Sequence, residues 1–132
     1  LIMVRSLYTS FAYKMAQSIN RRASCDVGKT WTIPKELVAK DKGGRGPVKN
    51  KPILLSSGAW LAPASLEGPT GNKKGRVWRA FFDRSEDQGY TWTKSPDVYP
   101  QEAGWGIIQP TIWESPEGNV HALMRSSKGI ES

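Results

Sequence analysis

Apolar positions in this chain come in short runs, broken by turn-forming residues at close spacing. No window of roughly 11–18 residues sustains the three-and-four spacing of an amphipathic helix. Residues 10–23 come nearest, but Phe11, Tyr13 and Met15 alternate, which suits a strand better. Pro52-Ile53-Leu54-Leu55 is a short apolar run, and Trp60-Leu61-Ala62-Pro63-Ala64 follows after Ser56-Ser57-Gly58, a hairpin signal. Arg76-Val77-Trp78-Arg79-Ala80-Phe81-Phe82-Asp83 reads as a half-buried strand, and residues 107–113 as another. Pro116-Glu117-Gly118-Asn119 is a turn, after which Val120, Ala122 and Met124 alternate with His121, Leu123 and Arg125. Polar loops are expected over residues 39–51 and 68–75. The pattern predicts an all-β meander of short strands.

An octapeptide occurs twice. Ser24-Cys25-Asp26-Val27-Gly28-Lys29-Thr30-Trp31 matches Ser85-Glu86-Asp87-Gln88-Gly89-Tyr90-Thr91-Trp92 at five offsets, with a spacing of 61 residues from Asp26 to Asp87. A fixed period of this size points to a repeat architecture such as a propeller. Each shared residue has a task in a tight bend. The Asp carboxylate accepts backbone N–H groups a few residues on, and the Gly takes a positive φ. Ser24, Ser85, Thr30 and Thr91 offer hydroxyls to the remaining backbone groups. Trp31 and Trp92 open the next strand and are expected to bury a large ring between sheets. Asp26 and Asp87 are therefore structural, not catalytic, because the turn uses their carboxylates.

This octapeptide resembles the Asp-box, or bacterial neuraminidase repeat, of the sialidase superfamily. The stretch around Gly46-Pro47 and Pro52-Ile53-Leu54-Leu55, through Leu61-Ala62-Pro63, is similar to a hairpin of that family. So is Ile107-Ile108-Gln109-Pro110 leading to Ala122-Leu123-Met124-Arg125. The resemblance covers residues 23–132 and implies a sialidase-like β-propeller segment, while residues 1–22 are an unassigned N-terminal segment or the end of a preceding blade. One complete blade is expected over residues 48–97, between two partial ones. The chain then holds about two blades of a six-bladed ring, and its start at Leu1 reads as the inside of a longer frame.

Composition narrows the chemistry. With one cysteine, Cys25, and one histidine, His121, neither a disulfide framework nor a multi-ligand Cys or His metal centre can form, and no cofactor is expected. The formal net charge of +7 favours anionic partners. No recognised nucleic-acid module accompanies the basic residues 39–51, and no run of about 18 apolar residues suggests a membrane helix. The expected partner is a glycan, sialic acid or another acidic sugar, with neither nucleic acid nor membrane.

The resemblance also implies a site. Sialidases hold the substrate carboxylate with three arginines, because guanidinium pairs with it through two parallel hydrogen bonds. Arg125 falls where the second arginine of that triad belongs, with Gln109 on the preceding strand. The family carries a Glu two residues before that Gln, and here the position is Ile107. Glu67, expected just past a strand, or Glu114 is a candidate substitute. Asn50 and Lys51, with Lys49, precede a strand on a loop that in propellers faces the central pocket. The remaining acid, nucleophile and arginines of the family match nothing in this sequence. Two functions follow as expectations. One is a sialidase-like exo-glycosidase, here with an incomplete active site. The other is a non-catalytic carbohydrate- or protein-binding propeller. The family resemblance implies a secreted or periplasmic location, and uncovered sheet edges imply association between copies.

Overall fold

The computed structural model describes residues 2–6, 19–41, 49–69, 76–98, 100 and 105–127. Every regular element among them is a strand: β1 (Ile2–Ser6), β2 (Ile19–Ala23), β3 (Lys35–Glu36), β4 (Ile53–Leu54), β5 (Trp60–Pro69), β6 (Arg76–Ser85), β7 (Thr93–Lys94), β8 (Ile107–Glu114) and β9 (Val120–Ser126). They form three antiparallel sheets in chain order: β1-β2-β3, β4-β5-β6-β7 and β8-β9. This is the meander that the sequence predicts, arranged as part of a β-propeller-like fold. The alternation at residues 11–15 and much of the basic loop lie outside the described residues.

The two octapeptides occupy equivalent places, between β2 and β3 and between β6 and β7. Their hydrogen bonds repeat almost atom for atom. Ser24 Oγ donates to Asp26 Oδ1 at 2.8 Å, and Ser85 Oγ to Asp87 Oδ1 at 2.7 Å. The amides of Gly28 and Gly89 donate to those serine oxygens at 2.7 and 2.8 Å. The amides of Thr30 and Thr91 donate to the Asp Oδ1 at 2.8 Å, and their hydroxyls to Oδ2 at 2.6 Å. Trp31 and Trp92 Nε1 each donate to the box glycine carbonyl at 3.0 Å.

The bend needs more than its glycine. Gly28 and Gly89 have φ of 88° and 87°, but the residues before them, Val27 and Gln88, are also left-handed at 58° and 59°. For a β-branched side chain that conformation is an outlier. The ring of Trp92 is buried as expected, whereas that of Trp31 is only half-buried.

A second repeat is visible only in three dimensions. The hairpin from β4 to β5 closes with Gly58 N donating to Leu55 O at 2.9 Å and Leu55 N to Ala59 O at 2.8 Å. The hairpin from β8 to β9 closes identically, with Gly118 N on Ser115 O and Ser115 N on Asn119 O, both at 2.9 Å. The two glycines share φ values of 85° and 83°.

Two apolar clusters join the sheets. Leu37, just after β3, packs with Ala62, Ala64, Phe81 and Trp92 between the first and second sheets. Leu55, Ala59 and Leu61 meet Ile112 between the second and third, with Phe82 and Ala122 against them. Burial of a ring such as that of Phe81, which is fully enclosed, contributes roughly 1.5–3 kcal/mol. Glu114 ties the same two sheets from the polar side. It accepts the Ser56 amide on Oε2 at 2.7 Å and the Ser56 hydroxyl on Oε1 at 2.8 Å.

Candidate functional site

The register separates two ends of the sheets. Trp60 pairs with Ser85 at one end of the β5-β6 ladder, next to the second Asp-box, and Pro69 pairs with Arg76 at the other. The β4-β5 hairpin and the Glu114–Ser56 tie lie at the Asp-box end. Lys49 and Asn50, which precede β4, reach Gln109 and Pro110 near the start of β8, at the opposite end. Arg125 is there too, paired in register with Ile108.

At that end β8 carries a bulge. Ile107 and Ile108 pair with Ser126 and Arg125, but Thr111 already pairs with Leu123, so Gln109 and Pro110 together oppose Met124. Without the extra residue Ile108 would face Ser126; the bulge brings Arg125 opposite it instead. Gln109 sits in the bulge at φ 57°, in a left-handed conformation that Gln rarely adopts and that a following proline makes costlier. Bulges and backbone outliers of this kind cluster at functional sites. Asn50 holds it: its side-chain Nδ2 donates to the carbonyls of Gln109 at 3.1 Å and Pro110 at 2.7 Å. Asn50 therefore clamps the bulge of the neighbouring sheet, and its amide donors face the backbone rather than a ligand.

Around the bulge stand exposed polar groups. Lys49 Nζ donates to Gln109 Oε1 at 3.3 Å. Lys51 is exposed. Arg125 is exposed, with its guanidinium carbon 5.3 Å from the centre of the Trp78 ring. That stacking fixes the cation without neutralising it, and Arg125 makes no ion pair among the described residues. Gly106 lies directly on the Trp78 backbone: a Cβ there would stand 2.5 Å from the Trp78 carbonyl oxygen. The indole N–H groups of Trp78 and Trp105 are buried with no acceptor among the described residues.

The carboxylates proposed from sequence are arranged differently. Glu67 lies within β5 rather than beyond its end, because the strand runs on to Pro69; its register partner is Trp78, the residue beneath Arg125. Glu114 is at the Asp-box end, engaged by Ser56, and so does not join Arg125. His121 stacks on Trp113 at 5.2 Å between ring centres, away from the arginine. Both box aspartates are held at a pKa of about 2, chiefly by the threonine hydroxyls, then by the threonine amides and the serine hydroxyls. An acid that stays ionised so far below neutral pH is not a proton donor at neutral pH. Among the described residues, no cluster of three or more His, Cys, Asp or Glu side chains is placed to hold a metal. No described helix is long and apolar enough to cross a membrane. Nothing in the local pattern marks Gly106 or the clamp function of Asn50, because both depend on contacts with a distant part of the chain.

Three sheets, two Asp-boxes with matching hydrogen bonds and a strained bulge beside Arg125, which has no ion pair among the described residues, define a repeat protein of the sialidase-like kind. The chain matches the BNR repeat-like domain over residues 1–132, and it belongs to that family. No curated protein matches it. It is similar in fold to a crystal structure of a protein of unknown function from Dyadobacter fermentans DSM 18053, with a TM-score of 0.68 at 17% identity. The match covers 92% of this chain and 35% of that one, so this chain spans about a third of the length of that relative.

Proposed function

We propose that the end of the sheets carrying Arg125 is a glycan-facing surface, and that the protein of which it forms an arc is a sialidase-like exo-glycosidase acting on terminal acidic sugars. The observation that carries this reading is Arg125: an exposed guanidinium, without an ion pair among the described residues, laid over Trp78. It stands beside a bulge that the neighbouring sheet clamps in a strained conformation. Such a cation suits bidentate capture of a sugar carboxylate. Gln109 and Lys49 add hydrogen-bond donors beside the bulge, and the net charge of +7 draws an anionic ligand toward the protein. Glu67 pairs in backbone register with Trp78.

A fluorogenic sialoside tests the reading in a protein that contains this segment within a complete ring. Hydrolysis is expected, with a loss of at least tenfold in kcat/KM for Arg125→Ala. Unchanged turnover in that variant removes Arg125 from the site. A second reading, a glycan-binding propeller without turnover, is favoured by one residue: Ile107 stands where the family resemblance expects Glu. Saturable glycan binding, weakened by Arg125→Ala and unaccompanied by hydrolysis, selects it.

A further inference from the structure

Arg125 is placed by strand register, and that register is held from the neighbouring sheet. On the hairpin side of the bulge β8 and β9 pair one for one, from Glu114–Val120 to Thr111–Leu123. Continued without an extra residue, that ladder would set Gln109 opposite Arg125 and Ile108 opposite Ser126. The observed pairs are Ile108–Arg125 and Ile107–Ser126. The next pair along locks them: Ser127 N donates to Gly106 O at 2.9 Å, and Gly106 N to Ser127 Oγ at 2.8 Å. Gly106 is in turn the residue that rests on the Trp78 backbone, and Trp78 is the ring over which Arg125 lies. The bulge thus decides which residue of β9 is carried to Trp78.

The bulge is unfavourable by itself. Gln109 is left-handed at φ 57° and precedes a proline. Pro110 is fully buried, so its carbonyl needs a donor within the protein. Asn50 answers both from the second sheet, its single Nδ2 donating to the Gln109 and Pro110 carbonyls at 3.1 and 2.7 Å. An amide nitrogen carries two hydrogens for two carbonyls, and an ionised carboxylate of the same shape carries none. We propose that Asn50 is the positioning residue for Arg125: by clamping the Gln109-Pro110 bulge it holds β9 in the register that lays the guanidinium on Trp78. It acts through the bulge and makes no bond to ligand. Its bearing on ligand rests on the glycan reading of Arg125; its effect on register does not. Loss of the clamp lets the strands slip by one residue, about 3.3 Å. The guanidinium carbon is 5.3 Å from the ring centre, and such a slip carries it to the limit of cation–π attraction near ~6 Å.

The test compares Asn50→Asp with the unaltered protein, in the same complete protein as the sialoside assay. Arginine Nε–H NMR, with Arg125 assigned from Arg125→Lys, reports whether the guanidinium lies on Trp78 and needs no ligand. The Arg125 resonance is expected to lose its ring-current shift in Asn50→Asp. It is expected to keep that shift in Glu114→Ala, which loosens the same two sheets at the other end. Asn50→Ala combined with Gln109→Gly is expected to regain it, because glycine holds a left-handed bulge without a clamp. An Arg125 resonance unmoved by Asn50→Asp, or moved equally by Glu114→Ala, overturns the proposal. Calorimetric titration with an α-methyl sialoside then links register to ligand. Asn50→Asp is expected to weaken binding at least tenfold, and to have no further effect in an Arg125→Ala background. Additive losses overturn the proposal, since Asn50 then acts independently of Arg125. If the unaltered protein does not bind the sialoside, the glycan reading falls while the NMR comparison still decides the register. Should Asn50→Asp not fold, the double variant carries the test: Arg125 on Trp78 upholds the clamp, and Arg125 displaced from Trp78 overturns it.

Discussion

Gly106 sets how closely β6 and the start of β8 approach, and Gly106→Ala measures that approach directly. The added Cβ would lie 2.5 Å from the Trp78 carbonyl oxygen, 2.7 Å from its Cβ and 3.1 Å from its Cα. Ordinary carbon contacts begin near ~3.5 Å, so the two strands must open by roughly 1 Å. Two of the three atoms met are backbone, which no rotamer change can move aside. Overpacking of this kind costs about 1–3 kcal/mol, and the upper half of that range is expected where backbone must shift. With a urea slope of about 2 kcal/mol per molar, the midpoint falls by roughly 1–1.5 M. Urea unfolding followed by tryptophan emission reads the midpoint, and the folded-state emission reports on all six tryptophans, Trp78 among them. The same shift displaces the ring beneath Arg125, so ligand binding should weaken alongside stability. A midpoint within about 0.2 M of the parent, with the emission unchanged, refutes the close approach and the packing argument built on it.

Val27 is left-handed at φ 58° and almost fully exposed, so Val27→Asn should relieve strain without losing packing and raise stability by about 1 kcal/mol; a thermal melt that fails to rise rejects this. Asp26 and Asp87 have folded pKa values of about 2 against an ordinary 3.8. Their contribution is therefore complete above pH 4 and is lost as pH falls from about 4 to 2. Thr30→Val with Thr91→Val should flatten that acid limb, and an unaltered limb in equilibrium unfolding between pH 5 and 2 contradicts the assignment. Glu114→Ala removes both bonds to Ser56 and should cost about 1–2 kcal/mol, read as a lower urea midpoint with the proposed glycan binding unchanged. Selective loss of glycan binding in that variant would return Glu114 to the ligand site.

Much of the fold was legible because its signals are local. Alternating apolar residues announce strands, and Ser-x-Asp-x-Gly-x-Thr-Trp encodes a complete set of short-range hydrogen bonds within eight residues. The candidate site was legible only in part. Arg125 and Gln109 were singled out by resemblance, and the structure brings them to adjoining positions at the bulge. Asn50 and Glu114 were singled out by type and position, and each turned out to bind the neighbouring sheet. Their partners lie nearly sixty residues away, a distance over which sequence pattern carries no orientation. Gly68-Pro69 reads as a loop in the sequence and so puts Glu67 past a strand end, but cross-strand pairing with Val77 and Arg76 carries the ladder through it.

Sequence alone therefore determined the all-β character, the two aspartate-locked bends and the family, since each depends on residues close together along the chain. Tertiary structure alone decided which end of the sheets carries Arg125 and which polar side chains are consumed in joining sheets. Those outcomes depend on register and on sheet-to-sheet contact. A single extra residue in β8 changes which side chain stands opposite Ile108, and that choice is made by packing against a distant strand rather than by the local pattern.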